Sequence, residues 1–284
     1  MIREKQFIRL RDNVELHTQI REKGSKIWLI ATHGIGEHLE RHDYLYELFG
    51  SKFNICQYDL RGHGLSIGEV GYVEDFFDYM KDLQEVIFYL KERYKMDKFV
   101  LFAHSMGALI TSGYIQKYAD EETYPSLVYL NAPPVGFAGG LGKFIEYAPK
   151  GIFKNLAKIP VSVRVGGLLD LNYLSHDPRV KENYVTDNRN LLQLHTKLLL
   201  EVVKGSSGVF NRPLRPRCPA FVSVGTEDRI VGYSQLRKYF TMVEKSFNYR
   251  EFEGAYHEIH NEIEKYRKPY FEHVKASVNS IWDS

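Results

Sequence analysis

The sequence predicts an α/β fold: a mostly parallel central sheet flanked by helices, with an inserted, largely helical cap. Three observations carry this expectation. Short apolar runs rich in β-branched and aromatic residues recur along the chain, helical patterns fall between them, and one stretch, 132–217, interrupts the alternation.

Residues 5–10 and 14–20 alternate apolar with polar side chains around Arg11-Asp12-Asn13, the pattern of a hairpin with one wet face at a sheet edge. Residues 27–32 (IWLIAT), 54–59, 99–104 (FVLFAH), 127–131 and 220–225 are apolar nearly throughout, as strands covered on both faces must be. Phe76, Phe77, Met80, Leu83, Ile87 and Leu90 keep three-and-four spacing and predict a helix; 107–118 and 263–281 predict two more, and 247–252 a last strand. The interrupting stretch opens on Pro133-Pro134 and closes on NRPLRPRCP. It is expected to be a cap inserted into a discontinuous core of residues 1–131 and 218–284.

Composition narrows the function. A length of 284 residues suits one large domain with an insertion. The formal net charge of +2 gives no reason to expect a nucleic-acid partner. Cys56 and Cys218 are too few for a disulfide framework or a four-cysteine metal site, and Cys56 falls in a buried strand as a core thiol. The first residues hold no apolar signal segment, and no run approaches the ~18 apolar residues of a membrane span, so a soluble cytoplasmic protein is expected.

The strand FVLFAH runs into Ser105, and a helical pattern follows at once. A serine at such an apex is lifted clear of the sheet, provided small residues stand two positions to either side; Ala103 and Gly107 do. A serine hydroxyl needs a base, and the base needs an acid to orient it. Glu227 and Asp228 follow the strand AFVSVG, and His257 follows the last strand, so the chain order is serine, acid, histidine at three strand ends. Oxyanion donors are available at the Met106 N–H, where the helix begins, and at the Ile35 N–H in the loop HGIGEH. His33, His38 and His42 with His257, Glu258 and His260 could suggest a metal site, but the run His257-Glu258-x-His260 lacks the i, i+4 histidine pair of a zincin helix, so no metal and no cofactor is expected. His104 is expected to point away from the site as a packing residue.

Taken together, HGIGEH, YDLRGHGLS, AHSMGA, GTEDRIV and EGAYHEIHNE resemble the monoacylglycerol lipase and lysophospholipase branch of the α/β-hydrolase family, across nearly the whole core. The resemblance implies Ser105 as nucleophile, His257 as base, Asp228 rather than Glu227 as its orienter, and the Ile35 and Met106 amides as the oxyanion hole. Ala103 and Ala108 depart from the glycines usual there. The segment YDLRGHGLS, 58–66, resembles a loop behind the site and is assigned a structural role. The implied substrate is a single-acyl lipid ester; a small- or aromatic-ester carboxylesterase is the alternative, and a non-catalytic ligand-binding protein is a more distant one.

Within the cap, Leu141, Phe144, Ile145, Ala148, Ile152, Phe153, Leu156 and Ala157 repeat at helical spacing, among Lys143, Lys150, Lys154 and Lys158, with Glu146 as the opposing charge. Such a segment serves either as a lid helix with solvated lysines or as a peripheral contact with an anionic lipid surface. Downstream, LSHDPRVKENY resembles cap segments of the same family, most closely at Asp177-Pro178.

Overall fold

Period-two alternation at the start of the chain becomes an antiparallel hairpin of β1 (Gln6–Arg9) and β2 (Glu15–Arg21), with Ile8 and Leu16 paired and buried. Asn13 turns it with a left-handed backbone, φ 68°, which asparagine tolerates better than most residues. A computed structural model of the chain describes residues 6–138, 142, 162–167 and 169–282. The further strands are β3 (Ile27–Thr32), β4 (Asn54–Tyr58), β5 (Lys98–His104), β6 (Leu127–Asn131), β7 (Arg164–Gly166), β8 (Gln193–His195), β9 (Ala220–Gly225) and β10 (Asn248–Phe252). The α-helices among the described residues are α1 (Tyr44–Phe49), α2 (Phe77–Tyr94), α3 (Met106–Lys117), α4 (Pro178–Thr186), α5 (Thr196–Val209), α6 (Tyr233–Lys238) and α7 (Glu264–Asn279).

The main sheet has the spatial order β1-β2-β4-β3-β5-β6-β9-β10; β2 is antiparallel to both of its neighbours, and every other pairing is parallel. Alternation along each central strand feeds two cores. Trp28, Ile30, Leu101, Ala103, Val128 and Leu130 face α2, α3 and α5, whereas Ile27, Leu29, Val100, Phe102, Leu127 and Tyr129 face α1 and α7. This is why the predicted strands read as continuous apolar runs, and their observed ends agree with the sequence to within a residue. The shorter elements α1, α6, β7 and β8 carry too few turns or alternations to show a period.

Between β6 and β9 the described part of the insertion holds the antiparallel pair β7 and β8, with α4 between them in the chain, and α5. Asp177 caps α4 by accepting from the Arg179 N–H at 3.0 Å, and Pro178 occupies the first turn, where its missing N–H is not needed. Helix α5 buries Leu198, Val202 and Val209 in the core shared by α2 and α3, and its Glu201 accepts from the Phe76 N–H at 3.0 Å, just before α2. The basic amphipathic series from Leu141 to Lys158 lies outside the described residues, Gly142 excepted. No helix among the described residues is long and apolar enough to cross a membrane.

Strand β3 is followed by β4 on one side, whereas β5, its other neighbour, leads to β6 on the far side. Loops leaving a parallel sheet at such a switch point diverge and open a crevice at the strands' carboxyl ends. Helix α3 lies so close to β3 there that a Cβ added to Gly107 would stand 2.3 Å from the Thr32 carbonyl oxygen and 2.6 Å from that of His33. Gly107→Ala is therefore expected to lower stability by about 1–3 kcal/mol, read from urea unfolding; an unchanged midpoint would show that the helix can retreat freely.

Candidate active site

Ser105 has φ 51° and ψ −118°, a left-handed backbone that costs a non-glycine residue about 1–3 kcal/mol. Main-chain bonds hold it there: its N–H donates to the Asn131 carbonyl at 2.8 Å, and its own carbonyl accepts from Ala108 N–H at 2.9 Å. The residue is 4% exposed and stands where β5 ends and α3 begins.

Sequence positions far apart meet at this point. His257 Nε2 lies 3.0 Å from Ser105 Oγ, and His257 Nδ1 lies 2.6 Å from Asp228 Oδ2. The other Asp228 oxygen accepts from the Ile230 and Val231 N–H groups at 2.8 and 3.0 Å, which fixes the carboxylate after β9. Glu227, the neighbouring acid, is exposed. Burial disfavours a charged His257, but Asp228, with Glu258 and Glu37 beyond it, outweighs burial and raises the imidazole pKa. A base so placed can take the hydroxyl proton of Ser105 and hold it as a stabilised cation.

Ile35 and Met106 line the same cavity as Ser105. Met106 opens α3, so its N–H has no carbonyl one turn earlier to bond. The register places Thr32 of β3 opposite Ala103 of β5, and this brings the loop after β3 against the serine. A Cβ on Gly34 would meet Glu37 Oε1 at 2.8 Å and Ser105 Cβ at 3.1 Å, so the loop can approach only as glycine. The insertion clamps this loop from outside: Leu191 N–H and the Tyr184 hydroxyl both donate to the Gly36 carbonyl at 2.7 Å. It also braces the base, because His257 N–H donates to the Tyr173 carbonyl at 3.2 Å and Glu258 N–H to that of Leu174 at 2.8 Å.

Behind the site lies a buried polar layer, several of whose members hydrogen-bond to one another. His104, expected to point away, instead packs its ring 4.8 Å from that of His257. The reason is a register row, His104, Asn131 and Ser223, on adjacent parallel strands. Asn131 Nδ2 donates to His104 Nδ1 at 2.9 Å, and Ser223 Oγ donates to Asn131 Oδ1 at 2.9 Å. Burial keeps His104 well below the ordinary histidine pKa, hence neutral. His33 accepts from Leu60 N–H at 2.9 Å and pairs with the Gly34 carbonyl at 2.7 Å, and burial lowers its pKa to about 4. His38 pairs with Asp187 at 3.0 Å, His42 with Glu37 at 3.0 Å, and the His260 ring stacks on Tyr44 and lies tilted against His42. In the 58–66 loop, Asp59 accepts from Leu39 N–H at 2.7 Å and Leu65 N–H at 2.9 Å, so its work is to tie two loops together.

Ser105 opens onto a cavity of about 270 Å³ walled by Pro134, Phe137, Leu199, Val202 and Val231, with Asp170 and Arg229 as its charged residues among those described. Sequence reasoning missed Leu169, which faces this cavity and also the apolar space of about 170 Å³ beyond it. It missed Arg41 and Tyr184 as well, since nothing in their spacing marks them.

A parallel sheet with a strained serine after its central strand, and an aspartate and a histidine after its last two strands, defines a hydrolase of the α/β-hydrolase class. More particularly, the chain belongs to the family described as serine aminopeptidase, S33, which it matches over residues 24–264. Phospholipase YtpA of Bacillus subtilis is 26% identical over 242 residues, covering 84% of this chain and 90% of that protein. Monoacylglycerol lipase of Mycolicibacterium smegmatis is 26% identical over 243 residues, covering 84% and 83% respectively. The crystal structure of monoacylglycerol lipase from Paleococcus ferrophilus matches with a TM-score of 0.82 and 26% identity, over 94% of this chain and 99% of that one.

The electrostatics of His257 give a direct test. Its imidazole is expected to titrate above the ordinary ~6.5 in NMR of the folded protein, and Asp228→Asn should move the titration to lower pH by removing the dominant opposing charge. Identical titrations in the two proteins would show that Asp228 does not set the charge on His257.

Proposed function

We propose that this protein is a serine carboxylester hydrolase of single-acyl lipids, a monoacylglycerol lipase or lysophospholipase. The observation that carries the proposal is the hydrogen-bonded line from Asp228 through His257 to Ser105, opening directly onto an apolar cavity. In this reading Ser105 Oγ attacks the ester carbonyl while His257 Nε2 takes its proton. The Ile35 and Met106 N–H groups receive the developing oxyanion, and Asp228 holds the imidazolium. His257 then returns the proton to the leaving alcohol, and the acyl group remains on Ser105. Water, deprotonated by the same imidazole, releases the fatty acid and restores the serine. The cycle consumes one water and needs no cofactor.

Substrate class follows from the walls. Pro134, Phe137, Leu199, Val202 and Val231 offer an acyl chain apolar contact and offer a free amine nothing. Among the described lining residues the carboxylate is Asp170, whose Oδ1 accepts from the Asn172 N–H and Nδ2. The names of the phospholipase and monoacylglycerol lipase relatives support the same reading. Residues 132–217 act in it as a cap over a core of 1–131 and 218–284. The lysines at 143, 150, 154 and 158, set among apolar residues, suit that cap to an anionic lipid surface.

Hydrolysis of monooleoylglycerol and of an oleoyl lysophospholipid, each compared with a short p-nitrophenyl ester, tests the substrate class. Either lipid should be turned over well above the short ester, and Ser105→Ala should remove at least about 10³-fold of that activity while leaving the melting curve intact. Turnover of the short ester alone would replace the lipase reading with a small-ester carboxylesterase. Reversing the four cap lysines to glutamate is expected to weaken binding to anionic vesicles; undiminished binding would remove the surface contact from the proposal.

A further inference from the structure

Arg41 lies in the 3-10 turn Leu39–His42, between the two loops that face each other across Ser105. Its Nε donates to Glu37 Oε2 at 3.1 Å and its Nη2 to Glu258 Oε2 at 2.5 Å. Glu37 in turn accepts, through Oε1, from the Gly34 N–H at 2.5 Å and from His42 at 3.0 Å. Gly34 directly precedes Ile35, and Glu258 directly follows His257. The guanidinium also lies over the Tyr184 ring at 4.9 Å, and the Tyr184 hydroxyl holds the Gly36 carbonyl. The three charged side chains are at most a tenth exposed.

Two buried carboxylates on one buried cation make a poor device for stability, because well-packed apolar groups commonly replace such triads without loss. They make a good device for holding two loops at a set separation. The planar guanidinium reaches both carboxylates through different nitrogens in fixed directions, which an ammonium cannot do. We propose that Arg41 is a positioning residue, a buried cation that sets the oxyanion loop and the base loop in register with each other across the nucleophile. This rests on the roles given above to Ser105 and His257.

The charges facing His257 make the proposal testable beyond a simple loss of activity. Asp228 bonds its Nδ1, Glu258 and Glu37 add negative charge, Arg41 neutralises part of that charge, and His104 contributes a ring that burial keeps neutral, as it does His260 behind it. Activity requires neutral His257, so kcat/KM rises as pH climbs through its pKa. Glu37→Gln removes a carboxylate and should move this limb to lower pH. Arg41→Met exposes two carboxylates and should move it to higher pH. Arg41→Lys keeps the charge and should leave the limb in place.

The experiment measures kcat, KM and the pH limb on the full chain, with thermal unfolding as control. The expected result is a loss of about 10- to 100-fold in kcat for Glu37→Gln and Arg41→Met, with KM within about twofold, opposite shifts of the limb, and partial recovery of kcat in Arg41→Lys. Variants that melt cooperatively with wild-type kcat, or that lose kcat with the limb unmoved in both, would overturn it. If Arg41→Met does not fold, Glu37→Gln decides: lowered kcat with the limb moved to lower pH supports the proposal, and wild-type kcat or an unmoved limb overturns it. Labelling of the wild type by a fluorophosphonate reports on Ser105 separately; failure to label would remove the hydrolase reading, and this proposal with it.

Discussion

A serine held at φ 51° cannot be an accident of a loop, because an L-residue stays in that conformation only where its surroundings determine it several times over. Here the surroundings are the centre of an eight-stranded sheet: β5 behind, the Asn131 carbonyl beside, and a helix that starts within one residue and reaches β3 by way of Gly107. The Ser105 backbone is thus placed by main-chain bonds. The histidine, the aspartate and the two amides have a fixed point to be arranged around, and only their loops need adjusting.

Those loops arrive together because the central and distal strands run parallel. Parallel strands end at one edge, so residues distant in sequence emerge side by side, as His104, Asn131 and Ser223 show in their single row. The row does more than pack. By donating to His104 Nδ1, Asn131 fixes the tautomer of a ring that lies against His257, and a neutral ring there does not compete with an imidazolium at His257. Charge is kept for Asp228, Glu258 and Glu37, all of which favour that imidazolium.

How much of this could be read beforehand follows from the same physics. The strands IWLIAT and FVLFAH are legible because burial on both faces leaves no room for polar residues, and α2 because its apolar face repeats over many turns. Ser105, Asp228 and His257 stand out because each follows a strand-like run, in the order that the parallel sheet brings to one edge. His104 was misread because alternation along a strand gives the face but not what a neighbouring strand adds to it; Asn131, the next strand over, draws the ring toward His257. Arg41 and Glu258 are separated by 217 positions and share no period, so no local pattern announces their pairing. Helices α4 and α5 escaped for a related reason: one is nine residues long, and the other carries Gly205-Ser206-Ser207-Gly208 near its end, residues that read locally as a turn.

The insertion grips both site loops in part by main-chain atoms: the carbonyls of Tyr173 and Leu174 take the amides of His257 and Glu258, and the amide of Leu191 reaches the Gly36 carbonyl. Bonds of this kind are indifferent to which side chains the insertion carries. Leu169, Leu171, Leu192 and their neighbours, which shape the apolar spaces beside the serine, can therefore be exchanged without loosening the loops that do the chemistry. Substrate preference and reactivity are separately adjustable in such a molecule, and a change in diet need not be a change in engine.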